Sequence, residues 1–432
     1  MQILRISGGR QLRGEVDIPG SKNAALAILS AVPLIDKPIT LHGVPDISDV
    51  RIKVDLLRDF GVKIEWIDGA LHIDPSTIRY HEPSAESVRA IRTSFCLLGP
   101  LLARLGRAYL PVPGGCLIGV RPVDFHLKGL AMLGADVRLD NGVYVASTDG
   151  LTGAEIYLDF PSAGATHHLM TAATLATGQT VISNVAVEPE VISLAQFLNS
   201  LGARIEGAGT STLTIQGVTS LTGGQFRIPA DRLQASTYLM AGAITCGDVT
   251  VRGVLPEQQV ATLNKLREAG AQSDEGPDWV RVWATDRLQG IKVKTMPYPG
   301  FPTDIQQPMA ALLATARQGS VVEETIYESR IGHIPELNRM GAKMTIEGRA
   351  TLIEGVDRLK GTVVQASDLR AGAAIVLAAL AASGESIIKN VHYIDRGYDK
   401  FESRLRSLGA DIERVDLVDW ERDRSSRIQL AE

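Results

Sequence analysis

Cysteine is scarce in this chain: Cys96, Cys116 and Cys246 are the three in 432 residues. An odd, widely spaced set offers neither metal-ligand spacing nor a disulfide framework, and the expectation is a reduced, cytoplasmic compartment. Long apolar runs are also missing. The longest, AGAAIVLAALAASG at 371–384, falls short of the about 20 residues a membrane span needs, so no membrane partner is expected. Positive charge is not in excess: Lys and Arg number 44 against 49 Asp and Glu, a net charge of −5 with both signs spread along the chain. That balance argues against a nucleic-acid surface. The opening MQILRISGGRQLRGEV lacks a basic stretch followed by an apolar one, so no export signal is expected. His167 and His168 stand together with no further histidine at metal spacing; they read as helix surface and core residues, and no metal is expected.

What the chain has is repetition. An amphipathic helix running into a glycine and then a strand recurs at Gly61, Gly134, Gly202, Gly270, Gly341 and Gly409, at intervals of 73, 68, 68, 71 and 68 residues. A helix that ends at a glycine in the left-handed conformation explains the pattern. Ahead of each lies a small-residue-rich helix, apolar on all sides and therefore buried: SKNAALAILSAV, RAIRTSFCLLGPLLA, SAGATHHLMTAATLATG, RLQASTYLMAGAITCG, PTDIQQPMAALLATARQG and DLRAGAAIVLAALAASG. Each unit reads as strand, buried helix, strand, outer helix, strand. Residues 6–25 match 215–236 at an offset of 209, which makes the chain a duplicated set of three units. The fold class is α/β with two domains and six repeats, Pro19 and Pro229 sitting at equivalent places as hinges.

Polar residues gather at the first turns of the buried helices. Lys22 and Asn23 open the first, Arg89 and Arg92 the second, Ser162 and Gly164 the third, Arg232 the fourth, Asp304 the fifth, and Asp368 with Arg370 the sixth. Free N–H groups and the positive end of the dipole make such places anion sites. If the helices within each domain run parallel, these ends converge and the domains can face each other across an anion-lined cleft. A cation there opposes the dipole and calls for compensation, which a bound polyanion would supply. Any one such residue can equally be a cap or a solvated charge.

The segment PVPGGCLIGVRPVDFH (111–126) is different in kind. It holds Cys116 in a glycine-rich loop five residues before Arg121. A neighbouring guanidinium favours the thiolate and makes the sulfur nucleophilic, whereas Cys96 and Cys246, in and at the end of buried helices, read as small apolar fillers. A loop cysteine without a task remains open on local sequence alone.

The motifs GSKNAAL, PGGC-IG-RPVD-H, S-GAT, FPTD-Q, ESR---IPEL-RMGA, DLRAGAA and IDRGY, in that order, resemble the UDP-N-acetylglucosamine 1-carboxyvinyltransferase family of enolpyruvyl transferases, from the N-terminus to about residue 415. The resemblance implies a two-domain inside-out α/β barrel, each domain made of three βαβαββ units around buried parallel helices. The domains would be 22–229 and 1–21 plus 230–432, with a tail of unknown role after about 415. It implies transfer of the enolpyruvyl group of phosphoenolpyruvate to the 3′-hydroxyl of UDP-N-acetylglucosamine by addition and elimination, with release of phosphate, as the first committed step of peptidoglycan synthesis. No cofactor is implied and protein partners stay unknown. On this resemblance Cys116 protonates C3 of the donor, and its thiolate is the target of fosfomycin. Asp304 takes the hydroxyl proton. Lys22, Arg121 and Arg396 hold the phosphoenolpyruvate anion, with Asn23 beside them. Asn23, Arg92, Asp304 and Ile326 touch the nucleotide sugar. Arg121, Pro122, Val123, Asp124 and Phe125 bind uridine, and Ser162, Ala163 and Gly164 cradle the diphosphate. Arg330, Asp368 and Arg370 are further site positions.

Three residues depart from the family pattern near the nucleotide: Phe160 replaces a basic residue, Ala163 a valine and Phe125 an aliphatic side chain. They bear on nucleotide affinity and leave the catalytic set intact. Two other functions compete. A 3-phosphoshikimate carboxyvinyltransferase would share donor and fold but lack the cysteine loop and the RPVD segment. A regulatory paralogue would bind the nucleotide sugar without turnover, against which Lys22, Cys116, Asp304 and Arg396 all speak.

Overall fold

The computed structural model describes residues 2–79, 81, 83–114 and 123–422. Cys116, Arg121 and Pro122 lie outside them. The described residues form two compact units, 2–18 with 231–422, and 19–114 with 123–230.

Each unit is built on three sheets and three inner helices. The inner helices are α1 (Lys22–Ala31), α2 (Leu98–Leu105) and α3 (Ala163–Ala173) in one unit, and α4 (Arg232–Ile244), α5 (Gln306–Leu313) and α6 (Leu369–Ala381) in the other. Every residue of α4 and α5 is buried. Close approach is confined to the small residues: a side chain on Gly242 of α4 would strike Val249, and one on Gly372 of α6 would strike Ile394.

The outer helices are Ser48–Asp59, Asp124–Met132, Pro189–Ser200, Val260–Glu268, His333–Arg339 and Phe401–Ser407. All six end at the glycines picked out by the repeat, whose φ values lie between 85° and 99°. That left-handed backbone favours glycine and closes each helix with its strand already turned back. Two strands rather than one follow each of the first five outer helices as a hairpin; after the sixth, the single strand Asp411–Asp416 pairs with Gln2–Ser7 from the chain start.

Five of the six sheets share one pattern, a parallel pair followed by two antiparallel pairings. The sixth, of Arg107–Pro111, Val143–Ser147 and Asp136–Asp140, has three antiparallel strands among the described residues. The chain start is woven into the unit holding the chain end. Gln2–Ser7 lies between Glu385–Lys389 and Asp411–Asp416, antiparallel to both, and Arg13–Asp17 runs parallel to Asp248–Arg252.

The inner helices of the second and fifth repeats begin later than the sequence pattern indicates. Arg89 is exposed in a separate helix, Ala85–Ala90, and Arg92 opens a 3-10 segment, Arg92–Leu97, ahead of α2. Pro100 has no N–H to give, and the Gly99 N–H donates to His168 Nε2 at 2.7 Å instead of to the preceding turn. An α-helix cannot be continued backwards through two missing bonds. Asp304 likewise sits in a 3-10 turn, Thr303–Ile305, before α5, where Pro308 imposes the same limit.

Candidate active site

The sequence-derived site residues that are described divide between the two units. In the unit of residues 231–422, three segments distant in sequence bring Asp304, Arg330 and Arg370 together. Arg330 Nη1 lies 2.9 Å from Asp304 Oδ1, and Arg370 reaches Oδ2 with Nη2 at 3.1 Å and Nε at 3.2 Å. The two arginines are 3% and 2% exposed, while the Asp304 side chain keeps 26%. The carboxylate is therefore the counter-ion of two buried guanidiniums and still reaches solvent. Burial opposes the charge on Arg370, but Tyr398, Asp304 and Asp231 more than offset it and hold the group cationic. Tyr398 is the partner of the third guanidinium corner, accepting from Arg370 Nη1 at 3.1 Å and bonded to Thr237 Oγ1 at 2.9 Å.

Asp368 is the N-cap of α6. Its Oδ1 accepts the Arg370 and Ala371 N–H groups at 2.9 and 3.0 Å, which aims Arg370 along the helix end towards Asp304. Asp368 Oδ2 takes a bond from Gln307 at 3.4 Å. His333, beside it, is fully buried, and burial pulls its imidazole down to about 4, outweighing the upward influence of Asp368. Ile326 lies in the turn after the strand Ser320–Glu323, and Arg396 ends a 3-10 segment, Val391–Arg396. The compensation for these helix-end cations is thus partly internal: Asp304 supplies for Arg370 what the sequence assigned to a bound anion.

The unit of residues 19–230 follows the same logic. Lys22 is the first residue of α1, whose N-cap Ser21 accepts the Ala24 N–H. Its ammonium is 2.7 Å from Asp49 Oδ2 on the outer helix Ser48–Asp59. Asn23 follows, half-buried. One turn on from Asp49, fully buried Lys53 donates to the Thr93 carbonyl at 2.8 Å and ties the Arg92 segment down. Burial lowers the Lys53 ammonium to about 7.

Val123 caps the helix Asp124–Met132, with exposed Asp124 in its first turn and half-buried Phe125 next. Ser162 caps α3, accepting the Ala165 N–H at 3.3 Å, with Ala163 and Gly164 opening the helix. His126 joins these two places. Its Nδ1 is 2.8 Å from His168 Nδ1. Since His168 Nε2 accepts from Gly99, the proton of His168 is on Nδ1 and is donated to His126, whose own proton is then on Nε2. That nitrogen lies 3.7 Å from where a Gly164 side chain would stand. Burial, with Arg92 and His167 adding to it, pulls His126 down to about 4, so a neutral N–H donor borders the α3 N-terminus. The Arg92, Asp124 and Ser162–Gly164 segments therefore meet around one histidine pair, with Phe160 41% exposed nearby in sequence.

Asp49, Lys53, His126, Glu324 and Tyr398 are absent from the sequence-derived set. Tyr398 sits inside the IDRGY motif and His126 at the end of RPVD-H, so both carried a signal; the other three have none in their local sequence. Among the described residues no group of three or more His, Cys, Asp or Glu is placed to hold a metal ion. No helix among them is long and apolar enough to cross a membrane.

Comparison with known proteins identifies the family of the chain. The family model described as EPSP synthase (3-phosphoshikimate 1-carboxyvinyltransferase) matches residues 6–405. The UDP-N-acetylglucosamine 1-carboxyvinyltransferase of Finegoldia magna is 46% identical over 423 residues, covering 97% of this chain and 100% of the relative. UDP-N-acetylglucosamine 1-carboxyvinyltransferase 2 of Carboxydothermus hydrogenoformans is 46% identical over 96% of this chain and 100% of its own length. Among solved structures, the enolpyruvyl transferase NikO from Streptomyces tendae superimposes with a TM-score of 0.86 at 26% identity, over 96% of this chain and 99% of that one. An EPSP synthase from Acinetobacter baumannii gives a TM-score of 0.75 at 20% identity over 96% of this chain and 100% of that one, a likeness of fold. The chain belongs to the EPSP synthase family of enolpyruvyl transferases, and within it to the UDP-N-acetylglucosamine 1-carboxyvinyltransferases.

Proposed function

We propose that this protein transfers the enolpyruvyl group of phosphoenolpyruvate to the 3′-hydroxyl of UDP-N-acetylglucosamine and releases phosphate, the first committed step of peptidoglycan synthesis. The observation that carries the choice of acceptor is the 46% identity, over nearly the whole chain, to relatives named for UDP-N-acetylglucosamine. The solved structure named for the 3-phosphoshikimate reaction stands at 20%. The presence of the PGGC loop and RPVD segment supports the same choice.

The chemistry asks for a proton on C3 of the donor, a nucleophilic oxygen at C2 and then loss of phosphate. Cys116, which lies outside the described residues, is the proton donor. The acceptor hydroxyl adds to C2 as its proton passes to Asp304. Both Asp304 oxygens hold an arginine, but a carboxylate oxygen has a second lone pair, and the exposed part of this side chain is where a hydroxyl can reach it. The same negative charge stabilises the cationic character that develops at C2. The tetrahedral adduct then loses the C3 proton and expels phosphate, restoring the double bond.

Lys22, Arg121 and Arg396 hold the phosphate and carboxylate of the donor. Arg92, Asn23, Ile326 and the segments Arg121–Phe125 and Ser162–Gly164 hold the sugar nucleotide. Arg330, Asp368 and Arg370 orient Asp304. In this reading the two units are the domains of an inside-out α/β barrel, each with three βαβαββ repeats. The protein works in the cytoplasm, a compartment that suits its unpaired Cys96 and Cys246. Phosphate release from phosphoenolpyruvate, measured with either UDP-N-acetylglucosamine or shikimate 3-phosphate as acceptor, tests the assignment. Release with the second and not the first would reverse it, and release with neither would favour a binding paralogue.

A further inference from the structure

We propose that Glu324 is a positioning residue for this reaction, fixing the Asp304–Arg330 pair and the backbone at Ile326 in one rigid frame. The inference rests on the enolpyruvyl-transfer reading above. Glu324 follows the strand Ser320–Glu323 and is 6% exposed. Five donors converge on its two oxygens. Oε1 accepts from the Thr295 hydroxyl at 2.8 Å and from the N–H groups of Ile326 and Tyr327 at 2.8 and 3.2 Å. Oε2 accepts from the Thr303 hydroxyl at 2.7 Å and from the Gln306 amide at 3.5 Å.

Each of these donors leads to the candidate site. Thr303 Oγ1 accepts from Arg330 Nη1 at 2.7 Å, the nitrogen that also holds Asp304 Oδ1 at 2.9 Å. A hydroxyl has one hydrogen, so Thr303 can present a lone pair to Arg330 only while Glu324 takes that hydrogen. Gln306, at the head of α5, donates to the Arg330 carbonyl at 3.1 Å as well as to Glu324. The Tyr327 ring, set by the N–H bond to Glu324, lies under the Arg330 guanidinium at 5.1 Å. Arg330 Nε is buried without a hydrogen-bond partner, so these contacts decide its direction. The remaining bonds fix the turn that carries Ile326. Glu324 touches no reacting group in this scheme and acts through Thr303, Tyr327 and the turn.

Glutamine is no conservative replacement here, because whichever position its NH2 takes, it faces at least two donors. Steady-state kinetics of the full chain with phosphoenolpyruvate and UDP-N-acetylglucosamine reads the consequence. Glu324→Gln should lower kcat roughly ten- to hundredfold, the scale at which partners one step removed from a reacting group act. It should also raise KM for UDP-N-acetylglucosamine several-fold and leave KM for phosphoenolpyruvate unchanged. Thr303→Val, which cuts only the Arg330 branch, should lower kcat without moving the sugar-nucleotide KM, and Thr303→Ser should restore it. A purely structural role would lower the active fraction and the melting temperature with no such split. Full activity in folded Glu324→Gln, or Thr303→Val with wild-type kcat, overturns the proposal. A wild-type protein that does not turn over UDP-N-acetylglucosamine overturns instead the functional reading beneath it.

Discussion

Replacing Asp304 with alanine should destabilise the protein as well as silence it. Arg330 and Arg370, 3% and 2% exposed, share this one carboxylate at 2.9 and 3.1 Å. Breaking a buried ion pair by deleting one partner costs about 3–5 kcal/mol, because the surviving charge stays out of water. Thr303 and Tyr398 continue to solvate the arginines, and the Asp304 side chain is 26% exposed, so water reaches the vacated position. The expectation therefore sits at the lower end, about 3 kcal/mol. At about 2–4 °C per kcal/mol for a domain of this size, the melting temperature should fall by roughly 6–12 °C. Two unneutralised guanidiniums also make an anion site. Phosphate or sulfate should recover part of the loss in Asp304→Ala and do less for the wild type, while sodium chloride at matched ionic strength should not. Scanning calorimetry across a phosphate titration reads both effects. A variant melting with the wild type, or an equal response of both proteins to phosphate, would refute the counter-ion role of Asp304.

Lys22→Met should lose turnover by roughly a hundred- to a thousandfold, as for a removed charged donor, and should also lose stability, since Asp49, 3% exposed, forfeits an ammonium at 2.7 Å. Adding Asp49→Asn should restore the melting temperature but not the rate; recovery of both would contradict the donor-binding role. Lys53 binds its proton less tightly folded than unfolded, at about 7 against 10.5, so the unfolded chain holds the extra proton between those values and stability rises with pH across that window. Lys53→Met should flatten that rise in urea unfolding measured near pH 7 and near pH 10, and an unchanged slope would count against a buried, depressed lysine. Fosfomycin should modify Cys116, because burial raises the thiols of Cys96 and Cys246 and disfavours their thiolates. Cys116→Asp should keep measurable turnover and escape labelling, whereas Cys116→Ser should lose most turnover; intact mass with peptide mapping decides, and label on Cys96 or Cys246 would be the contrary result.

The repeat was legible because it is written in backbone chemistry. A glycine is needed wherever an outer helix reverses into the strand that follows it, and all six glycines have a left-handed φ. The first-turn positions of Lys22, Ser162, Asp368 and Arg370 were legible for the same reason, since cap and dipole effects act within one turn. What could not be read locally was who neutralises whom. Asp304 and Arg370 are 66 residues apart in sequence and Lys22 and Asp49 lie on different helices, so a cation at a helix end looked like a call for a bound anion when much of its partner was already in the chain. Glu324 was invisible because a glutamate at a strand end is ordinarily solvated; only the fold turns five donors towards it. The delayed starts at Arg92 and Asp304 follow from Pro100 and Pro308, whose effect on the preceding turn propagates backwards and is easily masked by an unbroken apolar pattern.

The bond that is made defines the reaction. Incubating the protein with phosphoenolpyruvate and UDP-N-acetylglucosamine, then analysing the nucleotide product by mass spectrometry and proton NMR, reads it directly. One new compound is expected, a vinyl ether on the 3′-oxygen of the sugar, formed with an equal amount of phosphate and absent in Asp304→Ala. Unchanged UDP-N-acetylglucosamine, or an enolpyruvyl group found only on shikimate 3-phosphate when that acceptor is supplied, would contradict it.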